Sequence, residues 1–204
     1  MSNQVSAIAR LQAVPPLFRG GDLTVRFQWT SKTASHYLYL WKKRGLVRPL
    51  GGHSDVYANL LVSPQPHWEK ALLMAMPSAV TIGVEALRLA GWTTQVPRRP
   101  TVAVNAKHSV FNVDPFEAIA RDPLWFEQAR GGIQGDRTVG LPVLRPAWAL
   151  ADMLCTAKWG ACGLWPDDID WDVVSEDDED DWHLACAAFG MPPSPLRAAA
   201  MASR

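Results

Sequence analysis

Residues 30–57, TSKTASHYLYLWKKRGLVRPLGGHSDVY, switch hydrophobic period at a single point. Ala34, Leu38 and Trp41 recur at helical spacing, flanked by Tyr37. LVRPL (46–50) and DVYANL (55–60) then have the β-branched, alternating character of strands. Gly45 marks the switch. Thr30 or Ser31 offers a hydroxyl to cap the helix, and Lys42, Lys43 and Arg44 put positive charge at its negative end. GGHS (51–54) links the strands through a turn whose glycines accept positive φ. Pro49 has no N–H to donate, which restricts the first strand to a sheet edge. Helix, glycine stop and hairpin, in that order, is the layout of a winged helix-turn-helix, where a helix enters the DNA major groove and the hairpin touches the flanking backbone. A helix–hairpin unit inside a larger core shares the same order.

Opposite the apolar stripe, Lys32, Ser35, His36, Tyr39 and Lys43 share one face. Its donors and aromatic surface suit a nucleic acid, and they also suit a solvated face. Charge distribution favours the first reading. The chain is formally neutral, with 20 Lys and Arg against 20 Asp and Glu. Residues 1–63, however, hold eight basic side chains against Asp22 and Asp55, and residues 150–204 hold three against eleven acidic ones. A basic head can neutralise phosphates if its charges lie together, and four of the eight fall between residues 42 and 48.

At 204 residues, with 48% hydrophobic side chains and 10 tryptophans, the chain can bury one large core or two small ones. PSAVTIGVEALRLAGW (77–92) contains Glu85 and Arg88, and no apolar run reaches membrane-spanning length. The first residues lack the charged start and apolar block of a signal peptide. Cys155, Cys162 and Cys186 make no even disulfide framework. A cytoplasmic chain without membrane association is expected.

The opening residues can complete the basic module. NQVSAIARLQ (3–12) suits a helix, PPLFRGG (15–21) a break, and DLTVRFQ (22–28) either a short helix or a strand. SPQP (63–66) reads as a linker. Beyond it, HWEKALLMAM (67–76) and PSAVTIGVEALRLAGW suit helices, TVAVN (101–105) and SVFNV (109–113) strands, and RPAWALADMLCTAKWG (145–160) a helix that buries Ala147, Leu150, Ala151 and Leu154. Acidic residues dominate from Asp167, followed by a short helix near 182–189 and a Pro- and Ala-rich tail expected to fray. The expected class is α+β: an N-terminal winged helix-turn-helix over 1–62, a mixed α/β antitoxin-like domain over 67–174, and an acidic segment and tail over 175–204.

The helix–wing YLYLWKKRGLVRPLGGHSDVYANL, the pair WEKALLMAMPSAVTIGVEALRLAGW and the later RPAWALADML together resemble the AbiEi-type antitoxins of bacterial abortive-infection toxin–antitoxin systems. In that family a helix begins near a proline and carries an Ala-Leu pair before Gly and an aromatic; here these are Pro77, Ala86, Leu87, Gly91 and Trp92. The resemblance spans roughly residues 5–160. It implies an autorepressor that binds duplex operator DNA and counters a nucleotidyltransferase-like toxin. Lys32, Thr33, Ser35, His36 and Tyr39 then stand on the recognition helix, and Arg48 with residues 51–54 on the wing. The DNA-binding set expected is Ser31, Lys32, Thr33, Ser35, His36, Tyr39, Lys43, Arg48, Gly52 and His53. The tip HSD is less basic than the Arg-rich tips often seen in the family, and the acidic tail matches nothing in it.

Enzymatic chemistry has thinner support. On a strand, Asp168, Asp170 and Asp172 of DDIDWD (167–172) would share a face that could hold a divalent cation, the basis of an alternative reading as a metal-dependent nuclease or nucleotide-processing enzyme. No phosphate-cradling loop accompanies them. VAVNAK (102–107) has the strand form of a restriction-type nuclease, but Asn105 occupies the place of the acid and cannot supply its charge. His183 and Cys186 share a helical face, yet Cys155 and Cys162 lack zinc-knuckle spacing. No catalytic residue, metal ligand or cofactor is expected. A protein-interaction module that has lost DNA binding is the third reading.

Overall fold

The computed structural model describes residues 6–107, 113–137 and 140–201. The start of the helix expected over 3–12 and residues 109–112 of the strand expected over 109–113 lie outside them. Mixed α and β structure forms two sheets, divided between two compact units: residues 1–77 with 111–114, and residues 78–110 with 115–204.

In the first unit, α1 (Ala7–Gln12), β1 (Leu17–Arg19), α2 (Gly20–Phe27) and α3 (Ser31–Lys43) precede the hairpin of β2 (Val47–Pro49) and β3 (Val56–Asn59), and α4 (Trp68–Ala75) closes the unit. The sheet is antiparallel in the order β1-β3-β2, which puts Pro49 on an edge strand, as its missing N–H requires. β1 was not expected. Its three residues lie within the stretch read as a break, and pairing with β3, not their own propensity, makes them a strand. The ambiguous DLTVRFQ is helical and begins two residues early, at Gly20.

Leu11, Phe18, Leu23, Ala34, Leu38 and Trp41 form this unit's core. Two polar ties fix its ends. The Trp41 indole N–H donates to the Ala7 carbonyl at 3.2 Å, and the buried Asn59 amide donates to the carbonyls of Leu11 and Val14 at 2.8 and 2.9 Å. Asn59 thereby ties β3 to two carbonyls at the end of α1.

The second unit is built on a mixed sheet of order β6-β5-β4-β8-β7. Its elements are β4 (Val80–Thr81), α5 (Gly83–Leu89), β5 (Thr101–Asn105), β6 (Glu117–Arg121), α6 (Pro123–Gln128), β7 (Ile133–Gln134), β8 (Val143–Leu144), α7 (Pro146–Thr156), α8 (Glu176–Phe189) and α9 (Leu196–Met201). The helix expected from Pro77 starts only at Gly83, whose φ of 64° breaks the run; Val80 and Thr81 ahead of it pair between β5 and β8. α7 buries every residue from Ala147 to Met153, which explains its nearly continuous apolar sequence. Gly132 seats the indole of α7: a Cβ there would lie 2.3 Å from Trp148 Cγ.

Two charged ties hold α7 and α8. Asp152 accepts from Arg121 Nη2 at 2.8 Å and from the Trp125 indole at 2.7 Å, linking α7 to β6 and α6. Asp181 of α8 pairs with Arg145 at 2.7 Å. The acidic segment expected from residue 175, ahead of a short helix near 182–189, is itself the start of α8. Ser175 caps it in a reciprocal box with Asp178, and Glu176, Asp177, Asp178 and Glu179 occupy its first turn, where the helix dipole favours negative charge. The tail expected to fray contains α9, with Leu196 fully buried and its N–H donating to Glu179 at 2.8 Å.

Candidate nucleic-acid interface

Thr30 caps α3, accepting from the Thr33 N–H at 3.2 Å while the two hydroxyls lie 2.9 Å apart. From this start the helix buries Ala34, Leu38 and Trp41 and leaves Ser31, Lys32, Ser35, His36, Tyr39 and Lys43 exposed; Thr33 is half-buried. Tyr39 is 61% exposed, a large aromatic left in water on the polar face. Arg44 is the C-cap, and Gly45, at φ 67°, turns the chain into β2.

α2 reaches α3 through three residues, Gln28, Trp29 and Thr30. Gln28 adopts the left-handed conformation at φ 53°, so that its neighbour Trp29 can donate its N–H to the Thr24 carbonyl at 3.1 Å. The Trp29 ring stacks on Tyr37 at 4.4 Å between centroids, and Arg10 covers both rings, donating to the Tyr37 hydroxyl at 3.1 Å. These stacked groups hold the angle between α2 and α3 from behind the exposed face.

Both acids of the basic head are used at the other end of α2. The Arg19 N–H donates to Asp22 at 2.8 Å, and the Gly21 N–H to Asp55 at 2.9 Å. Neither residue lies on α3. Lys32, Lys42, Lys43 and Arg44, with Arg26 on α2, are all exposed and make no ion pair among the described residues. The DNA-binding set expected from sequence left out Arg26, because α2 was undecided, and Lys42 and Arg44, which entered only as helix-end charges and as part of the basic cluster over 42–48. Their grouping with Lys32 and Lys43 on one short helix was the signal available.

The hairpin differs from expectation. Arg48 pairs with Asp114 and lies over the Trp68 ring at 5.1 Å, so its charge is answered inside the unit. Gly51 bridges to Val113, which docks the start of the turn. Gly51, Gly52 and His53 all have positive φ, at 96°, 62° and 56°; Gly52 is half-buried and His53 exposed. Asp114, 66 residues from Arg48 in sequence, could not have been read as its partner.

The acidic candidates do not assemble. DDIDWD forms a short 3₁₀ turn, Pro166–Asp168, and not a strand. Asp168 accepts from the Trp165 N–H at 2.7 Å and Asp170 from the Asp172 N–H at 3.2 Å, so these carboxylates serve local turns. Asn105 ends β5, its N–H donating to Ser78 Oγ at 2.9 Å. Cys155 is exposed, Cys162 half-buried and Cys186 buried, with its thiol pushed up first by burial. Among the described residues no three His, Cys, Asp or Glu side chains are grouped to hold a metal ion, and no helix is long and apolar enough to cross a membrane. Neither a protein-family model nor a curated protein sequence matches the chain.

Proposed function

We propose that the first unit is a winged helix-turn-helix that binds duplex DNA with α3 in the major groove, and that the chain acts as a cytoplasmic autorepressor and antitoxin of the AbiEi type. The observation that carries this reading is the exposed face of α3: Lys32 and Lys43 with a row of hydroxyl, imidazole and phenol groups, free of carboxylates, and Lys42 and Arg44 at the helix end, none of the four cations in an ion pair among the described residues. Such a face supplies both kinds of contact a sequence-specific binder needs. Lys32, Lys42, Lys43 and Arg44 suit phosphates, while Ser35, His36 and Tyr39 suit base edges. Thr30 caps the helix and leaves the remaining N–H groups of its first turn to point outward, where a phosphate is favoured.

The second unit, with its large buried core and separate acidic helix, is assigned the toxin-neutralising role. That assignment rests on the family resemblance. The test has two arms. The full chain should retard duplex DNA from upstream of its own gene in preference to scrambled duplex of equal length, and should restore growth to cells expressing a nucleotidyltransferase-like protein encoded beside it. Equal retardation of both duplexes removes the repressor reading, and continued growth arrest removes the antitoxin reading.

A further inference from the structure

A cleft of about 200 Å³ opens in the second unit, along β6 and between α5 and α7. β6 is an edge strand, and alternation places Glu117, Ile119 and Arg121 on the face that lines it. The two charged residues mark opposite ends. Glu117 is in register with Thr101 and Arg121 with Asn105, so their Cα atoms stand about 13 Å apart at ~3.3 Å per residue.

The ends differ in chemistry. At the first, the Glu117 carboxylate is exposed and has no partner among the described residues, and the Thr101 side chain beside it is likewise without a hydrogen-bond partner. At the second, Arg121 commits Nη2 to Asp152 and lies over the Trp125 ring at 5.5 Å, while its Nη1 has no partner among the described residues. Ile82, Val84, Ile119 and Met153 supply apolar surface to the cleft, with Ile119 37% exposed, and Thr156 and Cys162 also line it. Glu117, Arg121 and Asp152 together leave one negative charge in excess.

The geometry points to a binding site for a short linear primary amine whose far end is a neutral hydrogen-bond acceptor. The ammonium sits between Glu117 and Thr101, the methylene chain lies on Ile119 and Met153, and the acceptor faces the guanidinium of Arg121. One positive charge on the ligand balances the excess of the cleft, which a terminal carboxylate would not do. The volume sets the length: a 150 Å³ apolar cavity accommodates benzene, so ~200 Å³ accommodates about eight non-hydrogen atoms. This site is independent of DNA binding by the first unit.

The probe is 5-aminopentanamide, titrated into the full chain and followed by the methyl resonances of Ile119 and Met153. Saturable shifts of both methyls are expected, with pentanamide and pentylamine, each lacking one end, binding at least tenfold more weakly. Glu117→Gln, a change on an exposed side chain, should weaken 5-aminopentanamide at least tenfold and leave pentanamide unaffected, with no change in Tm. Equal binding of the probe and its single-ended controls, an unaltered affinity in Glu117→Gln, or a preference for 5-aminopentanoate would each overturn the assignment. Absence of shifts at both methyls would do so as well.

Discussion

Asp55, at the end of the hairpin turn, accepts a hydrogen bond at 2.9 Å from the N–H of Gly21 in the first turn of α2. Its carbonyl also accepts from the Gly20 N–H at 3.0 Å. One residue thus fastens the β2–β3 hairpin to the helix preceding α3 and supplies negative charge where the α2 dipole is positive. The same contact explains Gly20, since a Cβ there would lie 2.4 Å from Asp55 Oδ1.

Replacing Gly20 with Ala should therefore destabilise the first unit by about 1–3 kcal/mol, the usual cost of overpacking. Asp55→Ala should cost about 0.5–2 kcal/mol, in the range of a lost helix cap. Combining them tests the geometry: in Asp55→Ala the extra methyl of Gly20→Ala meets no carboxylate, so the double variant should be more stable than the sum of the single losses predicts. Chemical denaturation of the four proteins measures this coupling, and strict additivity would contradict the contact.

Asp152 makes a second test, in the other unit. Its carboxylate is 4% exposed and answers both Arg121 and the Trp125 indole. Asp152→Ala strands a largely buried guanidinium and a buried N–H, and is expected to cost about 3–5 kcal/mol. Asp152→Asn keeps an acceptor and should cost less. Equal stabilities of the two variants by urea unfolding would show that the polar tie contributes little.

Burial raises the carboxyl of Asp181 above its ordinary value, against the pull of Arg145. A carboxyl with a raised value binds its proton more readily in the folded chain than in the unfolded one. Its ionisation therefore costs stability at neutral pH, and that cost is relieved as pH falls through the raised value toward the ordinary one of about 3.9. Wild type should gain Tm relative to Asp181→Asn as the pH is lowered across this window. A difference in Tm that stays constant would exclude Asp181 as the titrating group.

α3 and its hairpin were legible because their signals are local. Thr30, Gly45, Pro49 and the paired glycines each dictate backbone geometry within a few residues. β1, β4 and β6 were not, because pairing creates them: EAIAR, in β6, is a good helical sequence that becomes a strand by lying parallel to TVAVN. The acidic run was read by its charge alone, although Ser175 and Asp178 already spell a capping box that starts α8. On the candidate interface, helical period placed Lys32, Ser35, His36, Tyr39 and Lys43 on one exposed face. It could not place Arg48, whose partners Asp114 and Trp68 are distant in sequence.

That face is the centre of the account, and the salt dependence of duplex binding tests it most directly. Each phosphate contact contributes about −0.9 to the slope of log K against log salt concentration. Replacing Lys32 and Lys43 together with Ala should flatten that slope by about 2, weakening operator and scrambled duplex alike, while His36→Ala should leave the slope and cost about 1–3 kcal/mol at the operator alone. Arg48→Ala should alter the slope little, since Asp114 already answers its charge. A slope unchanged in Lys32→Ala/Lys43→Ala, or one flattened only by Arg48→Ala, would contradict the assignment of α3 as the DNA-binding helix.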